Sequence, residues 1–103
     1  MTTTQPLPFT VDDGVILLTL EQDAPVVVLN ETLIARLDRT FEALPTDVRG
    51  LVMASGSSRV FVAGADLRAI HGMSDDALHD YLAFGSRVFG RLLELPYPTA
   101  AAI

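Results

Sequence analysis

The chain has 103 residues, room for one domain of ordinary size and not for two. Seven basic against thirteen acidic side chains leave a net charge of −6, which excludes a basic nucleic-acid surface and a polybasic membrane patch. With no cysteine, disulfides and thiolate metal sites are excluded as well.

No stretch is apolar for long enough to span a bilayer, and the opening "MTTTQPLPF" lacks a basic n-region and an apolar h-region. A soluble, cytoplasmic protein without nucleic-acid or membrane partners is expected. One total is out of proportion. Half the residues are hydrophobic and the mean hydropathy is +0.38, high for a small acidic domain that must cover its own core. Much of the surface is therefore expected to be buried against something else, or the chain to be part of a larger unit.

In chain order, residues 1–8 carry two prolines and three threonines and read as a flexible lead-in. Phe9 to Val11, the turn Asp12-Asp13-Gly14, and Val15 to Leu20 predict a β-hairpin. Pro25 to Leu29 is a further short extended run. Asn30 stands where a helix N-cap belongs, with Glu31 in the first turn, and Leu33, Leu37, Phe41 and Leu44 mark one face of a helix that Pro45 closes. Leu51 to Ala54 lacks polar alternation, as in a strand covered on both faces. After the loop Ser55-Gly56-Ser57-Ser58 comes "VFVAGADL", which begins as a buried strand and passes into three residues with almost no side chain. Ser74 caps a second helix with Asp75 and Asp76 in its first turn; Leu78, Leu82, Phe89 and Leu92 or Leu93 keep helical spacing up to Glu94. Pro96 and Pro98 end it. Thr99 to Ile103 reads as the start of a buried strand, so that the chain looks cut short. The order β-β-β-α-β-α-β argues for an α/β fold with at least part of its sheet parallel.

Familiar catalytic patterns are absent: no G-x-S-x-G, no phosphate-binding loop, no G-x-G-x-x-G and no H-E-x-x-H. His71 and His79 lack further ligands at metal spacing and read as surface histidines. Asp75 and Asp76 are accounted for by the helix dipole. Met73, Tyr81 and Phe84 fit an apolar ligand pocket and core packing equally well. Arg59 and Arg68 bracket the Gly64-Ala65 turn as they would a phosphate-bearing ligand, yet two solvated charges at element ends explain the spacing better. The turn Ala63-Gly64-Ala65 has two readings that residue chemistry leaves open. Glycine supplies a positive φ between strand and helix, or the N–H groups beyond the strand face a cleft and stabilise negative charge on a carbonyl oxygen.

The stretch "VRGLVMASGSSRVFVAGADLRAI" resembles the first half of the enoyl-CoA hydratase/isomerase (crotonase) superfamily. The signature is a strand, a Gly/Ser loop, a basic residue, then Phe-x-Ala-Gly-Ala-Asp-Leu. Upstream, "GVILLTLEQDAPVVVLNETLIARLDRTFEAL" is similar to that family's opening strands and first helix, and "LPYPTAAAI" to the strand before its second glycine-rich motif. The resemblance covers nearly all of residues 10–103 and implies a crotonase-like ββα spiral core, with residues 1–103 forming a partial domain.

That resemblance implies roles. The Ala65 N–H would be one of two oxyanion-hole donors to a thioester oxygen. The backbone at Ala63 and Gly64 would lie against coenzyme A, with Arg59 and Arg68 near its phosphates and Asp66 anchoring the turn. Residues 71–84 would line the acyl pocket. Acyl-CoA would be the substrate, with no separate cofactor and no metal, and the family's assembly would be a trimer-based homo-oligomer. The family often has asparagine where this chain has Val27. Its second oxyanion donor and its catalytic glutamates correspond to nothing before Ile103. Two functions follow: the N-terminal part of an enzyme acting on acyl-CoA thioesters, or a truncated, non-catalytic CoA-binding or subunit-association module.

Overall fold

The computed structural model describes residues 5–103. Strands β1 (Phe9–Asp12) and β2 (Val15–Leu20) form the expected antiparallel hairpin, pairing Asp12 with Val15. Asp13 and Gly14 both take positive φ, 50° and 78°, the conformation a two-residue hairpin turn requires. Aspartate tolerates it and glycine adopts it freely. Along β2, Ile16, Leu18 and Leu20 are buried while Leu17 is exposed, the alternation of a sheet packed on one face.

Helix α1 (Glu31–Ala43) carries the chain across to β3 (Gly50–Ser55), which lies parallel to β2 from Val15↔Gly50 to Leu20↔Ser55. Asn30 caps α1 as expected, its Oδ1 accepting the Leu33 N–H at 2.8 Å. Leu33, Ile34, Leu37 and Phe41 turn inward onto the strands. Beyond β3 come a short helix α2 (Leu67–His71), the long helix α3 (Asp75–Gly90) and a 3₁₀ turn at Arg91–Glu94. Strand β4 (Thr99–Ala102) then adds parallel to β3, giving a sheet of order β1-β2-β3-β4. The core sits between β2, β3 and α1, with α3 packed on α1 through Tyr81 and Val88. Among the described residues no helix is long and apolar enough to cross a membrane.

Several expectations are corrected. The run Pro25 to Leu29 is not a strand: it makes one isolated bridge, Leu29 to Ala65. On its other side the Gln22 side-chain amide pairs with Val28, Nε2 donating to the Val28 carbonyl at 2.7 Å and Oε1 accepting the Val28 N–H at 2.8 Å. Val60 to Val62 is likewise no buried strand; Val60 is exposed, because no ladder partner runs beside it. On α3 Leu78 and Phe89 pack against the core as the spacing predicts, and so does Leu92 beyond it, but the fully buried positions lie elsewhere. Tyr81 and Val88 are buried, Leu82 is 56% exposed, and the α-helix stops at Gly90, with Leu93 91% exposed. Strand β4 is exposed along its whole length rather than buried, since its alanines pair with β3 but no described residue covers either face.

The lead-in, expected to be loose over 1–8, is pinned where it is described. Leu7 is buried, and its N–H donates to Thr40 Oγ1 at 2.8 Å, while that hydroxyl donates to the Arg36 carbonyl. Both functions of the buried Thr40 hydroxyl are thus satisfied. Residues 1–4 lie outside the described residues.

Candidate functional site

The loop leaving β3 is held by main-chain and serine contacts. Gly56 donates to the Leu20 carbonyl at 2.8 Å, and an added Cβ there would stand 2.8 Å from that same oxygen, so the position admits glycine alone. Ser57 Oγ donates to the Pro25 carbonyl at 3.0 Å and accepts the N–H groups of Arg59 and Val60. One hydroxyl therefore ties the loop to residues 25–29 and sets the chain's direction into Phe61.

The Ala63 N–H donates to Val27 carbonyl oxygen at 2.7 Å. In a regular parallel ladder, Leu29 would then donate to Ala63; it donates instead to Gly64, at 2.8 Å. The extra residue is a bulge, and Gly64 takes φ 121° to make it. A Cβ at Gly64 would meet nothing within 4 Å, so conformation and not space requires glycine here. The bulge ends the pairing at Ala65, whose N–H finds no acceptor among the described residues. Asp66 closes the turn as N-cap of α2, its Oδ1 accepting the Ala69 N–H at 3.3 Å.

Ala65 forms part of the wall of an apolar cavity of about 340 Å³. Leu29, Ile34 and Ile70 line it together with Tyr81, Leu82, Gly85, Ser86 and Phe89, one stripe of α3. Tyr81 closes the cavity floor by donating its hydroxyl to the Leu29 carbonyl. Burial above all, and then the nearby charges of Asp66 and Glu31, push the Tyr81 phenol up from its ordinary value. It stays a neutral donor at physiological pH. Behind it a more polar cavity of about 250 Å³ is lined by Asn30, Glu31, Asp66 and Met73.

The other predicted residues are dispersed. Arg59 lines a separate recess of about 260 Å³ with Ser55, Ser57, Ser58, Phe61 and Ile103, whereas Arg68 lies on exposed α2 and lines none of these cavities. Neither arginine forms an ion pair among the described residues, while Arg39, Arg49, Arg87 and Arg91 all do. Tyr81 serves both pocket and core; Met73 belongs to the polar cavity, and Phe84 packs on the core beneath Arg87, 5.3 Å from its ring centre. His71 and His79 are exposed, and among the described residues no group of three acidic or histidine side chains could hold a metal. The contributions of Gln22, Ser57, Gly85, Ser86 and Phe89 went unseen in the sequence. Only Ser57 carried a local signal, as a serine in a Gly/Ser turn.

The profile of the family Enoyl-CoA hydratase/isomerase matches residues 10–103. The chain belongs to that family. A solved enoyl-CoA hydratase from Mycobacterium smegmatis is similar at 29% identity and TM-score 0.82, over 92% of this chain and 38% of that one. An enoyl-CoA hydratase/isomerase family protein from Silicibacter pomeroyi matches at 29% identity and TM-score 0.76, over 94% and 41%. Pseudomonas aeruginosa DspI shares the fold at 21% identity and TM-score 0.82, over 94% and 37%. The chain thus spans about two-fifths of the length of these structures, and the expected crotonase-like fold is the one it has. In this enoyl-CoA hydratase/isomerase family member Val27 is buried, and its main-chain oxygen makes the bond to Ala63, a contact that does not depend on an asparagine side chain.

Proposed function

We propose that this chain supplies the thioester-polarising part of an acyl-CoA site, as the N-terminal portion of an enoyl-CoA hydratase/isomerase. The observation that carries this is the Ala65 N–H, left without an acceptor among the described residues by the Gly64 bulge, on a residue that lines an apolar cavity. A thioester carbonyl seated there accepts that N–H while its acyl tail lies among Leu29, Ile34, Ile70 and Phe89. As the carbonyl gains enolate character the hydrogen bond strengthens, and one such donor is worth roughly 3–4 kcal/mol in the transition state. The backbone at Ala63 and Gly64 lies against the CoA moiety, and Arg59 and Arg68, in no ion pair among the described residues, supply positive charge to its phosphates. Asp66 acts through the turn it caps. The second donor, the acid/base glutamates and the trimer contacts would come from the part of the family this chain does not span. Coenzyme A enters as part of the substrate, not as a cofactor.

The test is an amide-resolved NMR titration of the 103-residue chain with crotonyl-CoA. The Ala65 and Gly64 resonances should shift saturably, and Ala65→Pro, checked for folding by circular dichroism, should lose the response. Saturable binding that leaves both amides unmoved sinks the assignment. The second reading, a non-catalytic CoA-binding or association module, draws on the exposed β4 and on Leu67, Leu82 and Leu93. It is favoured if wild-type chain, joined to the remaining three-fifths of a relative, binds crotonyl-CoA yet never hydrates it.

A further inference from the structure

Gly85 stands in the interior of the 16-residue helix α3, where glycine is among the least favourable residues. Two other glycines answer a local need: Gly64 a positive φ, Gly56 a carbonyl pressed against it. Gly85 has neither. A Cβ built there would meet only Ile34 Cδ1, at 3.7 Å, an ordinary contact. Packing between α1 and α3 therefore has room for alanine, and the missing side chain leaves its space to the cavity. Gly85 lies between Tyr81 and Phe89 on the stripe of α3 that lines the same cavity as Ala65. An apolar cavity of about 150 Å³ already accepts a benzene-sized guest; this one is about 340 Å³.

We propose that Gly85 determines tail-length selectivity, its bare helical position admitting acyl tails of about six carbons or more. This rests on the acyl-CoA reading above and adds a substrate class to it. A side chain at residue 85 projects into the volume that the distal methylenes occupy, so it costs a long tail its burial and leaves a short tail untouched.

The experiment measures dissociation constants of butanoyl- and octanoyl-N-acetylcysteamine, thioesters without the nucleotide, for the wild-type chain, Gly85→Ala and Gly85→Leu. Wild type should prefer octanoyl by roughly tenfold or more, given the four extra methylenes it buries. Gly85→Leu should bring the two within about twofold by weakening octanoyl alone. Gly85→Ala, which also improves the helix, should lose about fourfold of the preference and decides the matter if the leucine variant does not fold. Equal binding of both tails by wild type, or an undiminished preference in folded variants, overturns the proposal. The Ala65 amide separates the two readings. Octanoyl selectivity that depends on Gly85 without a shift at Ala65 refutes the oxyanion role and keeps the tail gauge; the reverse result does the opposite.

Discussion

The molecule has two regions built on different principles. From β1 through β3 the chain is held by burial: Ile16, Leu18, Leu33, Leu37 and Leu51 are each at most 2% exposed. From Gly56 to Met73 no residue is fully buried: Phe61, Val62, Ile70 and Met73 pack only partly against the core, and directed hydrogen bonds involving Ser57, Ala63, Leu29 and Asp66 fix the backbone. The first region tolerates small shifts of side chains as long as volume is conserved; the second specifies where individual N–H groups point. Segments poor in buried apolar contacts open locally at lower free energy than the core. The contrast therefore separates what keeps the protein folded from what aims Ala65.

The strongest way to break the contrast is in the buried region. Leu37→Ala should cost about 2–5 kcal/mol in urea unfolding, a large share of a small domain's stability. Leu67→Ala, at a residue 76% exposed in the second region, should stay within about 0.5 kcal/mol. Comparable losses would show that the two regions are one cooperative packing unit.

Asp38 joins the helices that flank the cavity. Its Oδ1 accepts from Arg91 at 2.7 Å, and Arg87 lies 3.7 Å from its Oδ2. Arg91 also donates to the Asp38 carbonyl. Asp38→Ala should cost roughly 1.5–3 kcal/mol, the range for a partly buried charged hydrogen bond, nearly all of it through Arg91 because Arg87 is solvent-exposed. Arg87→Ala should be close to neutral in the same assay.

Tyr81→Phe sharpens the comparison by touching both regions at once. Losing the bond to Leu29 should cost about 1 kcal/mol globally. Amide exchange at Leu29 and Ala63 should nevertheless accelerate more than exchange in β2, because Leu29 is the residue on which the Gly64 bulge hangs. Uniform acceleration would count against Tyr81 as a local brace.

The smallest effect expected is on pH dependence. Tyr81 and Tyr97 are both raised above the ordinary 10.0, chiefly by burial, and Tyr97 also donates to the Pro45 carbonyl at 3.1 Å. The folded state therefore holds these protons more tightly than the unfolded chain. Their contribution is complete below pH 10 and is lost as pH rises above it through the folded values. Alkaline unfolding titrations should show this slope in wild type and a shallower one in Tyr81→Phe/Tyr97→Phe.

Much of this was legible in residue order. The hairpin turn at Asp13-Gly14, the Asn30 cap, the inward face of α1 and the Ser74 cap, which accepts the Ala77 N–H at 3.1 Å, follow from local stereochemistry, and local rules suffice for them. The motif around Ala63-Gly64-Ala65 was found, but its supporting geometry was not. A one-residue bulge depends on which carbonyl a distant Leu29 reaches, and nothing within the motif encodes that. On α3 the expected positions Leu78 and Phe89 do pack inward, but Leu82 was taken in place of Tyr81 because leucine outranked tyrosine as a core residue. Tyr81 turns in since its hydroxyl has a carbonyl to meet, and Leu82 turns out toward the cavity mouth. Strand β4 misled for the opposite reason: alanines pair with a neighbouring strand whether or not anything covers them.

The Gln22 amide clasped on Val28 has a consequence for registration. A primary amide offers a donor and an acceptor side by side, the same pair that a passing strand would present, so Gln22 occupies the outer face of Val28 as a strand one residue long. A longer neighbour could slide by two residues and keep its ladder; a single amide has no next rung. The stretch from Val27 to Leu29 is thereby indexed to one position along the chain, and the main-chain groups that meet Ala63 and Gly64 inherit that index. The same clasp occupies the donor and acceptor through which a second chain would have paired with Val28.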